Sequence, residues 1–260
     1  MEGSRTTVST APEISIVIPS FNEELRLPAS LEKIAAYVRE KRPNTEVLVV
    51  DDGSMDKTAA VAESWKDRIR GLRVLSNGQN RGKGFSVKHG AQEARGEIVL
   101  FTDADLSAPI EEGEKLFEAL TSCDVAIGSR AVDRSLIEVH ESPFREFAGI
   151  VFNRLVRITL RLPFVDTQCG FKAFRRQRCQ EIFEQQTIER FGFDPELLYL
   201  ARHRGLRIRE VPVRWAHSPA TKVSMLRDSL QMFLDVFRIR WNSVSGRYRR
   251  KGAARPSFTA

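Results

Sequence analysis

Short apolar runs recur along this chain at intervals that leave room for one helix between each pair, and that alternation constrains the fold most. The runs are Ile14-Ser-Ile-Val-Ile18, Val47-Leu-Val-Val50, Leu72-Arg-Val-Leu75, Ile98-Val-Leu-Phe101 and Val125-Ala-Ile-Gly128. Continuous apolar strands of this kind belong to parallel sheets covered on both faces by helices. Between them, Leu27 to Arg42 carries Leu31, Ile34, Ala35 and Val38 at helical spacing. Asp56 is placed to cap a helix running through Trp65, and a glycine-bearing loop from Asn77 to Gly84 precedes a helix from Phe85 to about Ala94. The expectation is an α/β fold with a mainly parallel sheet.

Ligands of such sheets sit outside the carboxyl ends of the strands, so the residues just past each strand matter. Here Pro19-Ser-Phe-Asn-Glu23 comes after the first, Asp51-Asp52 after the second and Asp103-Ala-Asp105 after the fourth. In extended backbone the i, i+2 spacing aims Asp103 and Asp105 to one side. Two such carboxylates suit a hard divalent ion that keeps its other positions for water and phosphate. The alternative is that these acids and Ser107 merely cap a helix opened by Pro109. Three acidic clusters on one edge favour a metal–nucleotide site.

Two familiar phosphate motifs are missing. No Gly-x-Gly-x-x-Gly comes after the first strand, and Gly78-Gln-Asn-Arg-Gly-Lys-Gly84 is one spacer short of a P-loop and ends without Ser or Thr. That loop either places Lys83, and Arg81 with it, near a diphosphate or is a solvated turn.

At 260 residues, with 42% hydrophobic and 29% charged residues, the chain has the makings of one sizeable core. The net charge of +7 is concentrated at the end, where from Arg238 onward there are seven basic residues and no acid. Such an excess points to nucleic acid, anionic lipid or a phosphorylated ligand. Few aromatic residues interleave with these cations, so a nucleic-acid partner is not expected. The three cysteines form no Cys-x-x-Cys pair, which argues against zinc or a disulfide framework and fits a reduced cytoplasmic setting. Neither a signal peptide nor a run of about 20 apolar residues is visible.

The ordered set Pro19-Ser-Phe-Asn-Glu23, Val49-Val-Asp-Asp-Gly-Ser-Met-Asp56, Asn80-Arg-Gly-Lys-Gly84 and Asp103-Ala-Asp105 resembles the family 2 glycosyltransferases of the GT-A fold. Asp166-Thr-Gln-Cys-Gly-Phe-Lys172 and Phe193-Asp-Pro-Glu-Leu-Leu198 are similar to the dolichyl- or polyprenyl-phosphate β-glucosyltransferase branch. The resemblance spans roughly residues 13 to 240. It implies a single Rossmann-like domain with a C-terminal amphipathic helix. Its nucleotide-binding part would run over about 13–130 and its acceptor part over about 131–240, after a flexible leader (1–12) and before a basic tail (241–260).

It also implies roles. Pro19, Phe21, Asn22, Glu23, Asp51 and Asp52 would hold the base and ribose of a nucleotide-sugar donor, with Asp103 on the ribose side. Asp105, joined by Asp103, would ligate Mg2+ or Mn2+, and Lys83 would add charge at the diphosphate. Mannosyl-type relatives commonly carry Gln where Ser107 stands, which leans the reading to UDP-glucose over GDP-mannose. A phosphate acceptor is largely ionised at neutral pH, so a cationic clamp matters more than a strong base. Arg130 matches the family's acceptor-phosphate arginine, and Gln168, Lys172 and Lys222 would join it. Asp166 and Asp194 are the candidates for orienting or deprotonating the acceptor, although Asp194 could equally cap the helix that Pro195 starts. A saccharide or protein acceptor is the alternative.

Two segments bear on a lipid acceptor. Phe144 to Leu162 sets Phe147, Ile150, Val151, Leu155 and Ile158 among Arg154, Arg157 and Arg161, and Ser224 to Arg240 repeats the pattern with Leu226, Leu230, Phe233, Leu234 and Phe237. Each is either a packed helix with a solvated face or a basic amphipathic helix lying on a membrane surface. His217 is a candidate hydrogen-bond partner, though a lone histidine is commonly structural.

Overall fold

The computed structural model describes residues 11–139, 143–216 and 225–248. The expected leader, Lys222, His217 and most of the expected tail fall largely or wholly outside them.

The central sheet contains β1 (Ile14–Ser20), β2 (Thr45–Asp51), β3 (Leu72–Ser76), β4 (Ile98–Thr102), β5 (Val125–Ser129), β7 (Phe171–Arg175) and β8 (Ile208–Pro212). Their order across the sheet is β3-β2-β1-β4-β7-β5-β8. A separate pair joins β6 (Ile137–Val139) to β9 (Trp215–Ala216). Helices α1 (Leu27–Lys41), α2 (Thr58–Glu63) and α4 (Gly113–Leu120) cover one face of the sheet. The other carries α3 (Lys83–Glu93), α5 (Pro143–Leu160), α6 (Arg176–Gln185), α7 (Phe193–His203) and α8 (Met225–Val244).

Strand parity explains the two cores. Ile14, Ile16, Ile18, Val47 and Val49 turn to the first face, Val17, Leu48 and Val50 to the second. Every residue of β2 is buried, as a strand covered on both sides requires. Each such Val, Leu or Ile contributes about 1.5–3 kcal/mol on burial.

β7 departs from the uniform alternation read from the sequence. It runs antiparallel to both neighbours, pairing Thr102 with Phe171 on β4 and Val125 with Phe174 on β5. An antiparallel strand in a parallel sheet starts where its neighbours end. The segment 166–170 therefore arrives at the same edge as the carboxyl ends of β1, β2, β4 and β5.

Local boundaries also differ. β1 continues through Pro19 to Ser20, whose partner is Asp51. Asp56 is not the cap of α2; it sits one residue earlier and accepts from Thr58 N at 2.9 Å. Pro109 precedes a single 3-10 turn (Ile110–Glu112), and Ser107 donates to Asp105 instead of capping it. α7 starts at Phe193 after Gly192, with no side-chain cap from Asp194. α8 passes Arg240, and Tyr248 beyond it is buried.

Candidate active site

A cavity of about 520 Å³ opens at the carboxyl edge and gathers Pro19, Phe21, Glu23, Asp52, Lys83, Asp103 and Asp105 from four separate stretches of chain. Sequence reasoning named each of these. Asn22 and Asp51 belong to the scaffold beneath it. Asn22, in the left-handed region at φ 55°, accepts from Met55 N through its side-chain carbonyl at 2.8 Å. Asp51 is buried and accepts from Ser54 N at 3.3 Å.

Asp52 shapes the cavity by holding the glycine-bearing loop. One of its oxygens accepts from Asn77 Nδ2 at 2.7 Å and Arg81 N at 3.0 Å, the other from Gly82 N at 2.7 Å. The loop's glycines serve close packing: a Cβ at Gly82 would strike Glu189 O, and one at Gly84 would strike Phe193 and Ile188 O. Arg81 is drawn away, pairing with Glu189 and stacking over the Phe85 ring with Cζ 3.4 Å from its centroid. Lys83, first residue of α3, pairs with Asp103. Burial works against its charge, but Asp103 and then Asp194 hold the ammonium above its ordinary pKa.

Asp103 also abuts Gly170, where any Cβ would overlap its carboxylate. Asp105 turns one oxygen to Ser107, accepting from N at 3.1 Å and Oγ at 3.0 Å. Its other oxygen lies 3.7 Å from Arg26 Nη1, beyond hydrogen-bonding reach. Arg26, which sequence reasoning passed over, grips Glu23 through Nε at 2.7 Å and Nη2 at 2.5 Å. Its signal was its position three residues after Glu23.

The chemistry of these donors decides whether a metal fits. Among the described residues, no group of three or more His, Cys, Asp or Glu could hold an ion. Asp103 and Asp105 supply two hard carboxylates on one cavity wall, and Mg2+ characteristically takes one or two carboxylates with the rest from phosphate and water. The residues fit a metal bound jointly with a diphosphate.

A second cavity, of about 790 Å³, is lined by Arg130, Arg134, Arg154, Arg157, Asp166, Gln168 and Trp215, with Ile150 and Ile158 of α5. Arg130, just past β5, clamps Asp166 with Nε at 2.7 Å and Nη2 at 3.0 Å. Burial pushes the Asp166 carboxyl up, but Arg130 overrides it and holds the pKa at about 2. Gln168 lines this cavity and Gly170 touches Asp103 of the first, so the two cavities meet across two residues of chain.

Lys172 and Asp194 do not line either cavity. Lys172 is completely buried and donates to Asp194 Oδ1 at 2.5 Å and to the Cys169 carbonyl at 2.5 Å. Burial raises the Asp194 pKa, against the opposing pull of Lys172 and Lys83. Neither reaches a cavity wall as an acceptor cation or an acceptor base would; the structure joins them as an ion pair beneath the site. Lys222 lies outside the described residues.

Arg134, Arg190 and Phe191 also line the cavities without having been named from the sequence. No motif marks them. The segment holding Arg190 reaches the first cavity only because Gly82 and Gly84 let it pack there.

Comparison with known proteins gives a consistent result. Residues 15–183 match the family described as Glycosyl transferase family 2. A dolichyl-phosphate beta-glucosyltransferase from Drosophila melanogaster is 37% identical over 255 residues, covering 93% of this chain and 78% of that protein. The Homo sapiens protein of the same name is 35% identical over 255 residues, covering 93% and 79%. Among solved structures, glucosyl-3-phosphoglycerate synthase from Mycobacterium tuberculosis, in complex with Mn2+, UDP and glucosyl-3-phosphoglycerate, aligns with a TM-score of 0.66 at 21% identity. That alignment covers 90% of this chain and 80% of the other. The architecture is that of the GT-A glycosyltransferases.

Proposed function

The chain belongs to glycosyltransferase family 2 and is a glycosyltransferase, and from that premise we propose that it transfers glucose from UDP-glucose to a dolichyl or other polyprenyl phosphate. The observation that carries this reading is the arginine-lined cavity with apolar walls set against Asp103 of the donor cavity. Arg130, Arg134, Arg154 and Arg157 suit a phosphate monoester, and Ile150 and Ile158 suit the hydrocarbon behind it.

In the proposed reaction an acceptor phosphate oxygen attacks C1 of glucose, and the bond from C1 to the donor's β-phosphate oxygen breaks. UDP leaves and the configuration at C1 inverts. Arg130 orients the acceptor phosphate and Asp166 fixes the Arg130 fork. Lys83 neutralises charge on the diphosphate. Asp103 and Asp105 would hold Mg2+ or Mn2+, which would supply positive charge at the leaving diphosphate.

Peripheral attachment to a membrane completes the reading. α5 and α8 pack side by side and leave Phe147, Ile150, Ile158, Phe233, Phe237 and Trp241 exposed. Arginines flank them, as on helices that lie in an interface with anionic lipid. No helix among the described residues is long and apolar enough to cross a membrane.

The test is incorporation of label from UDP-[14C]glucose into a chloroform-extractable product with dolichyl phosphate and Mg2+ or Mn2+. Label that stays in the aqueous phase sinks the acceptor assignment. A thermal shift with GDP-mannose but none with UDP-glucose would replace the donor.

A further inference from the structure

The cations Arg26, Lys83 and Arg190 line the donor cavity. Two are committed. Arg26 is held by Glu23 and lies near Asp105, and Lys83 is held by Asp103. Arg190 is exposed and, among the described residues, makes no hydrogen bond or ion pair through its guanidinium.

Its backbone, by contrast, is fixed from both sides. Thr187 N and Ile188 N donate to the buried Glu196 carboxylate at 3.0 and 2.8 Å. Tyr248 and, through Thr187, Asn242 of α8 brace the same carboxylate. Phe85 N donates to Glu189 O at 2.9 Å, which ties the segment to the first turn of α3. Gly82 then packs directly on Arg190, where a Cβ would come 3.0 Å from its Cγ and 3.2 Å from its Cα. An uncommitted guanidinium is thus carried on a rigid backbone into a cavity whose other charges are already paired. Holding the backbone in place removes part of the ordering cost of binding.

We infer that Arg190 is a substrate-binding residue for the donor's diphosphate, gripping its phosphate oxygens as UDP departs. The inference rests on the nucleotide-sugar reading above and adds to it the residue that secures the leaving group. A planar fork with several donors matches phosphate geometry and stays charged at every working pH. Charge on the diphosphate grows as the bond to C1 breaks, so a cation placed there stabilises the transition state more than the ground state. Arg26 and Lys83 must give up a carboxylate partner to do the same; Arg190 need not.

The experiment compares uridine with UDP. Titration calorimetry with Mg2+ is run on the wild-type protein, Arg190→Ala and Arg190→Lys, with each variant's melting temperature measured alongside. Arg190→Ala should weaken UDP binding by about 10- to 100-fold and leave uridine binding unchanged. Arg190→Lys should recover part of the loss, since it keeps the charge and loses the fork. Wild-type affinity of Arg190→Ala for UDP overturns the inference. So does an equal loss for uridine and UDP, which would mean that the segment had merely collapsed. Failure of the wild-type protein to bind UDP at all would instead sink the donor reading, and is seen before any variant is made.

Discussion

The two cavities share one sheet edge and treat charge differently. In the donor cavity, Glu23, Asp103 and Asp52 already hold Arg26, Lys83 and the N–H groups of residues 81 and 82. Except at Arg190, a ligand entering there must exchange partners, and a metal–diphosphate unit can do so because it brings both signs. In the second cavity Arg130 and Arg134 are paired to Asp166 and Glu146, while Arg154 and Arg157 make no ion pair among the described residues. That cavity is positively charged before anything binds and selects for an anion. One site recognises by exchange, the other by attraction.

The largest effect is expected from the buried pair beneath both. Lys172→Met leaves Asp194 without its partner in the interior, a change worth about 3–5 kcal/mol, or roughly 6–20 °C in Tm for a chain of this size. Adding Asp194→Asn should recover much of that loss. Thermal unfolding of the single and double variants measures it, and an unchanged Tm for Lys172→Met would show that the pair supports neither cavity.

Next in size is Asp105→Asn, which should lower kcat/KM for glucose transfer by about 100-fold while binding to lipid vesicles stays as in the wild type. Turnover that survives this change removes the metal from the donor cavity. On the acceptor side, Phe233→Ser with Trp241→Ser should weaken binding to anionic phospholipid vesicles by about tenfold. Activity on a short-chain, water-soluble polyprenyl phosphate should be retained. Equal losses with both acceptors would mean that these side chains serve packing.

The smallest effect is expected from pH. Asp166 titrates at about 2, below its ordinary 3.8. A depressed carboxyl stabilises the fold above its ordinary value, and that contribution disappears only as pH falls towards 2. Asp166 therefore adds no limb to the rate profile between pH 5 and 8. The limb expected near pH ~6 belongs to the acceptor phosphate and should persist in Asp166→Asn. Its disappearance there would restore Asp166 as a base.

How far the sequence could be read divides along the same line. Much of the donor edge was legible because its acidic residues come within a few positions of a strand's end, so that strand and site are found together. Glu23, Asp52, Asp103 and Asp105 all have this form. The bonding partners of Asp52 and Asn22 were hidden, since loops are closed by backbone N–H groups that leave no mark in composition. The acceptor side depends on β7, and nothing in Phe171-Lys-Ala-Phe-Arg175 marks its strand direction. The resemblance makes Lys172 an acceptor-binding cation, and nothing in the sequence shows that α7 brings Asp194 to it as a buried partner. Arg190 had no motif at all; its place is set by two glycines far away in the chain.

The position of β7 also governs the order in which the molecule can be assembled. β4 and β5 are consecutive in the sheet's main succession of strands, yet they do not hydrogen-bond to each other; β7 lies between them. Until it arrives, after α5 has been made, both strands present open edges at the centre of the sheet. Such long-range insertion is slow, and a nascent chain ending before Phe171 would expose two adhesive margins at once. Closure of that gap also brings Gly170 against Asp103 and Lys172 under Asp194. Placement of β7 is therefore what joins the two cavities into one site.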